Sequence, residues 1–353
     1  EVEVYADADE VELFVNGVRV DVSPILNHPG QVVRVDYSQV AVNGTNTIEV
    51  TNITPDTATV EVKIPYATVI DGTPSDVGMN EDTLKLIDDI MKTEIKYGFS
   101  AAQLAVVKDG KMVIDQAWGT VDGWTEDQFD ENGNIVTPAA PDKSSAPVTT
   151  DTLFDLASNT KMYATNFAVQ KLVTDGLFDI YQKVSYYIPE FQDQPGDAIT
   201  GKGDLTVREI LQHQAGFPAD PQYNNENSAY IQAHPDLYCQ NRDQMLDTII
   251  RTPLEYQPGT KTQYSDVDYM LLDFIVERIT GKRLDVYLQE DIYGPMGLTH
   301  TTYNPLKNGF EKDDCAATEL NGNTRRGTVN FNGIRTDTIQ GEVHDEKAYY
   351  SMD

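Results

Sequence analysis

The stretch from Thr152 to Gly176 constrains this chain more than any other. It runs from an apolar lead-in through Ser158 and Lys161 into apolar residues at helical spacing, and ends at Asp175-Gly176. Phe167, Val169, Leu172 and Val173 predict the buried stripe of a helix, and Asp-Gly is a helix stop. Ser158 then falls at the N-terminal end of that helix, where free backbone N–H groups and the positive dipole end favour a developing oxyanion. Lys161 shares its face, with Cβ atoms about 5–6 Å apart. A lysine amine beside a serine hydroxyl can activate this weak nucleophile.

Further segments follow in order. They are Leu205 to Pro218, which contains His213-Gln-Ala-Gly216; Tyr256 to Asp266, ending in Tyr264-Ser265-Asp266; Tyr269 to Gly281; and Ile292 to Thr301. With Ser158-Asn-Thr-Lys161 as a Ser-x-x-Lys motif, and Tyr264-Ser265-Asp266 in the place of a Tyr-x-Asn motif, the chain from Gly98 onward resembles the serine β-lactamase and penicillin-binding-protein superfamily, on its class C-like side. The resemblance implies an α+β fold, an α/β sandwich of the β-lactamase/transpeptidase type. It implies that Ser158 attacks a carbonyl to form an acyl-enzyme, with its own N–H as half of the oxyanion hole. Lys161 and Tyr264 would share the proton transfers, either one taking the serine proton, and Asp266 would face the substrate. His213 would be structural. No cofactor and no metal are implied.

Two departures matter. Asp266 stands where asparagine is usual. An ionised aspartate only accepts hydrogen bonds, and it should hold Lys161 charged. Because a free phenol titrates near 10, a tyrosine base needs such a cation. The expected substrates are esters or D-alanyl-type peptides of cell-wall material, with β-lactams as weak acylating ligands. The family's Lys/His-x-Gly motif does not follow before Asp353, although Gly341 to Ala348 resembles the segment leading into it. The expectation is a hydrolase domain lacking its C-terminal part, with that segment as a partner fragment. Hairpin strands near Val106 and Val113 would then lack sheet partners, and the chain alone would be inactive. The alternative is a catalytically silent sensor or binding protein.

Residues 1 to 68 read as an all-β sandwich. Val2 and Val4, then Val11, Leu13 and Val15, alternate with polar partners, and runs at 32–37, 47–51 and 59–64 continue the pattern. Asn16-Gly17 and Asn43-Gly44 are turn signals. The module resembles Ig-like accessory domains of secreted enzymes; it reads as a spacer or docking unit, with glycan binding as the other option. Asn43-Gly-Thr and Asn52-Ile-Thr fit the glycosylation pattern but read as turn residues. Residues 69–79 read as a linker and 80–353 as the hydrolase domain. Within that domain Asn80 caps a helix carrying Leu84, Ile87, Ile90, Met91 and Ile95, and Asp109-Gly110 joins two strands. The polar stretch Trp124 to Thr150 holds a calcium-like Asp127–Asn134 run whose register fails, so it reads as a solvated turn. Tyr223 to Tyr230 reads as surface or as a substrate-facing loop. Val267 to Gly281 reads as an amphipathic helix with Leu271, Phe274, Ile275 and Ile279 inward.

A net charge of −31, from 57 acidic against 26 basic residues, speaks against nucleic acid as a partner. No apolar run approaches the ~18 residues of a membrane span. Cys239 and Cys315 would pair in an oxidising compartment or stay as two buried thiols. Together with the resemblance, the acidic β-module points to a secreted or cell-surface location.

Overall fold

Alternating valines build the first sixty residues. In the computed structural model, which describes residues 2–41, 46–63, 69–142 and 144–352, they form β1 (Val2–Asp7), β2 (Glu10–Val15), β3 (Val18–Val20), β4 (Val32–Val35), β5 (Ile48–Thr54) and β6 (Thr59–Lys63). Two antiparallel sheets result, ordered β4-β1-β6 and β3-β2-β5. Period-two alternation puts Val2, Val4, Val11 and Leu13 on the inner faces, where they share one core with Val35 and Ile25. Asn16 and Gly17 take φ of 52° and 76°, the left-handed pair that a two-residue hairpin turn requires between Val15 and Val18. Asn52 also has positive φ (53°), at a register slip of β5 against β2, which is bulge geometry rather than a simple turn. Asn43-Gly44 lies outside the described residues.

The chain divides into two units, Glu1–Met79 with Val106–Ile114, and Asn80–Ala105 with Asp115–Asp353. The stretch expected as plain linker is locally ordered. β7 (Ile70–Asp71) pairs in parallel with β9 (Lys111–Gly119), and the Pro74–Val77 turn closes with a capping box between Thr73 and Asp76. β8 (Ala101–Lys108) and β9 form the expected hairpin, with Asp109 and Gly110 at φ 50° and 74°. The sheet order is β7-β9-β8. The strand near Val113 therefore has neighbours on both sides, against expectation, and β7 and β8 are the edge strands.

In the larger unit, Asn80 Oδ1 accepts the Thr83 N–H at 2.8 Å and starts the Glu81–Tyr97 helix. Leu84, Ile87, Met91 and Ile95 are half-buried, whereas Ile90 is exposed. The core is organised by the Asp266–Thr280 helix. Leu271, Phe274 and Ile275 are buried as the periodicity predicts, Ile279 is half-buried, and Val267, Leu272 and Val276 are buried too. The Asn166–Thr174 helix buries Ala168, Val169 and Leu172, with Ala164 just before it, and Phe167 is half-buried. Val173 is exposed, in the last turn of the helix, whereas the core-facing ladder runs 164, 168, 172 at i+4 spacing. Asp175 and Gly176 (φ 72°) end the helix as read.

Three loop readings are refined. Between Gln128–Phe129 and Ile135–Thr137, a small antiparallel pair, Asp130 Oδ1 accepts the N–H groups of Asn132 and Asn134. Tyr223 and Asn224 are neither surface nor substrate-facing. Both are fully buried, with the Tyr223 hydroxyl 2.7 Å from Thr252 Oγ1. Cys239 and Cys315 are separate buried thiols.

Candidate active site

Ser158 is delivered by a short edge. The Leu153 N–H donates to Asp314 O, and the Ala316 N–H donates to Leu153 O, both at 2.8 Å. Asp155 then clamps the turn: Oδ1 accepts the Ala157 N–H at 2.6 Å, and Oδ2 accepts the His344 N–H at 2.7 Å. Ala157 has φ 46°, a left-handed conformation that costs an L-residue about 1–2 kcal/mol. The strain sits immediately before the serine and swings it outward. Ser158 lies in a 3-10 turn, Ala157–Asn159, followed by a wide π turn, Lys161–Thr165, and only then by the regular helix. Its side chain is exposed.

Tyr264 and Asp266 arrive from the other side on a bed formed by residues 213–219. The Gln263 N–H donates to His213 O (2.8 Å), the Ser265 hydroxyl to Pro218 O (2.7 Å), and the Asp266 N–H to Ala219 O (3.0 Å). His213 Nδ1 lies 2.9 Å from Asp268 Oδ2 and 3.2 Å from the Ser265 nitrogen, and its ring packs 4.7 Å from the Tyr264 ring. His213 thus supports the Tyr264 loop and does not touch Ser158. Burial pushes the Asp268 carboxyl up to about 6, against the His213 contact that lowers it.

The four residues picked from sequence converge. The Tyr264 hydroxyl donates to Ser158 Oγ at 2.8 Å, the Lys161 ammonium donates to the same oxygen at 3.3 Å, and Lys161 reaches Asp266 Oδ1 at 2.8 Å. The ammonium also sits 4.7 Å from the centre of the Tyr264 ring. Burial works against the Lys161 charge, but Asp266 and Tyr264 outweigh it and hold the ammonium above its usual range. Burial likewise opposes ionisation of Asp266. Lys347 and Lys161 outweigh it and hold that carboxyl below its usual value.

Lys347 is the residue that sequence reading missed. It stands on the Glu346–Ser351 helix, capped by Asp345, and its ammonium donates to Asp266 Oδ2 at 3.0 Å and to Asp220. An aspartate in an asparagine position, near a single lysine, was the signal that a second cation should be sought. Ser158, Lys161, Asp266 and Lys347 line a cleft of about 530 Å³ that extends along the Asp266–Thr280 helix past Tyr269 to Asp273 and Arg242.

The family model described as Beta-lactamase matches residues 84–341. The protein named "Putative D-alanyl-D-alanine carboxypeptidase" from Escherichia coli (strain K12) is 47% identical over 287 residues, 81% of this chain and 62% of that protein. A protein of the same name from Salmonella agona (strain SL483) is 47% identical over 289 residues, 82% of this chain and 63% of its own length. The chain thus spans less than two thirds of these relatives. Among solved structures, the octameric penicillin-binding protein homologue from Pyrococcus abyssi aligns with TM-score 0.52 at 18% identity, over 73% of this chain and 50% of that one. That likeness speaks to the fold, an α+β arrangement of the β-lactamase/transpeptidase type. A family model covering most of the chain and near half-identity over four fifths of it lead to one assignment: the chain belongs to the Beta-lactamase family, in the serine β-lactamase and penicillin-binding-protein superfamily.

Proposed function

We propose that this protein is a serine hydrolase that forms an acyl-enzyme on Ser158 and cleaves amide or ester bonds. D-alanyl-type peptides or esters from cell-wall material are its substrate class, and β-lactams are weak acylating ligands. The observation that carries this reading is the convergence on one exposed oxygen: Tyr264 OH at 2.8 Å and Lys161 Nζ at 3.3 Å from Ser158 Oγ. Ser158 Oγ adds to the carbonyl carbon as its proton passes to Tyr264 in its phenolate form, which becomes the neutral phenol. Lys161, kept charged by Asp266, supplies the positive charge that a tyrosine base requires. The same proton goes on to the leaving nitrogen or oxygen, and water then attacks the ester by the reverse path. An ionised Asp266 has no donor for the side-chain amide of a penicillin, and both of its oxygens already accept from lysines. The substrate class is drawn from the carboxypeptidase-named relatives. A site outside the cytoplasm suits such material, with residues 1–68 as an accessory module and 69–79 as its connection.

The test is intact-mass analysis of the full-length gene product after exposure to a fluorophosphonate and to a fluorescent penicillin. One adduct is expected with the fluorophosphonate, slower labelling with the penicillin, and none with either in Ser158→Ala. An adduct that survives Ser158→Ala sinks the assignment.

A further inference from the structure

Lys347 lies outside the Ser158–Lys161–Tyr264 triangle, yet it is the most deeply buried cation beside it, with only 5% of its side chain exposed. The Asp266 carboxylate is divided between two ammonium groups: Oδ1 faces Lys161 at 2.8 Å and Oδ2 faces Lys347 at 3.0 Å. Lys347 is held in turn by Asp220, which is half exposed. Other groups also face this cluster. Tyr264 and Ser158 lie beside Lys161, Tyr269 and Asp268 come from the Asp266–Thr280 helix, and Asp345 acts on Lys347 from its own helix cap. Breaking a buried ion pair from one side leaves an uncompensated charge. An aspartate at position 266 without Lys347 would therefore place a full negative charge against the proton-transfer pair.

We propose that Lys347 is a positioning residue of the acylation site, matched to Asp266: it cancels the aspartate's charge, so that the pair does for Lys161 and Tyr264 what one neutral amide would do. This rests on the reading of Ser158, Lys161 and Tyr264 given above. The sign of its effect does not depend on which of Lys161 and Tyr264 takes the proton. Removing the Lys347 charge makes the site one unit more negative, so every proton in it is held more tightly. Removing the Asp266 charge does the reverse.

The experiment follows kcat/KM for p-nitrophenyl acetate from pH 5 to 9 in the full-length gene product. In Lys347→Gln the acid limb should move up by about one pH unit. In Asp266→Asn it should move down, and in the double variant Asp266→Asn/Lys347→Gln it should return near the wild-type position. Lys347→Arg, which keeps the charge, should leave the limb in place even if KM changes. If Lys347→Gln does not fold, the double variant compared with Asp266→Asn carries the test, because with position 266 neutral the loss of the Lys347 charge leaves no unpaired carboxylate there. An unmoved limb in Lys347→Gln, equal shifts in Lys347→Gln and Lys347→Arg, or a double variant that keeps the shift of either single one would overturn the proposal. Ester turnover that persists in Ser158→Ala, or is absent from the wild type, overturns the underlying reading and this one with it. Turnover that needs Ser158 but ignores the Lys347 charge overturns only this one.

Discussion

Ser158, Lys161 and Tyr264 form a hydrogen-bonded unit around one oxygen, and groups that act as a unit are not additive on removal. Lys161→Ala and Tyr264→Phe should each lower the rate of fluorophosphonate labelling by about 10²–10⁴. The double variant should lose little more than the worse single one. A double-mutant cycle of labelling rates checks this, and full additivity would count against a shared proton path. These residues were picked out in the sequence through the ordered motifs that resemble the β-lactamase superfamily, since a lone Ser-x-x-Lys or a lone tyrosine is a weak local signal. Lys347 was not, because it reaches Asp266 from 81 residues away.

The element that holds the site in register is the 213–219 bed, and its critical point is Gly216. Its φ is 101°, and a Cβ there would stand 2.4 Å from the backbone oxygen of Tyr256. The Glu255 N–H donates back to Gly216 O at 2.8 Å, so the two strands of chain cannot separate cheaply. Gly176, at φ 72°, has nothing within 4 Å of the same construction. Gly176→Ala should therefore cost about 1 kcal/mol, the conformational penalty alone. Gly216→Ala should cost about 2 kcal/mol or more and also slow acylation, since the bed carries residues 263–266. Urea unfolding with parallel labelling rates decides. Equal costs for the two variants would mean that the close approach to Tyr256 carries no energy. In the sequence Gly216 reads as a turn glycine like any other. Its role depends on a strand that comes back 40 residues later.

For the molecule as a whole, buried carboxyls and net charge both favour mild acid. Asp273 and Asp268 are pushed by burial up to about 7 and about 6, in Asp273 despite Arg242 at 3.8 Å. Both carboxyls hold a proton in the folded state at pH values where the unfolded chain has lost it. Their contribution is thus present below about pH 4 and fades as pH rises to 7. Asp266, held low by its two lysines, acts in the opposite direction, and its contribution is lost only as pH falls below the ordinary carboxylate range. The net charge of −31 adds self-repulsion as pH rises. The Tm should therefore be several degrees higher at pH 5.5 than at pH 8. Asp273→Asn should flatten the dependence, and 1 M salt at pH 8 should recover the repulsive share but not the buried one. A Tm that climbs steadily to pH 8 would refute this.

Local order was determined by the sequence alone: the valine alternation and Asn16-Gly17 of the first unit, the Asn80 cap, the Asp109-Gly110 hairpin, and the core face of the Asp266–Thr280 helix. Each depends on residues within a few positions, where backbone geometry leaves few choices. Only the tertiary structure decided the rest. It buried Tyr223, exposed Val173, gave β9 a second neighbour in β7, and set Lys347 against Asp266. Those outcomes come from which distant segment fills a given space or balances a given charge. Nothing in a local period or spacing encodes that choice.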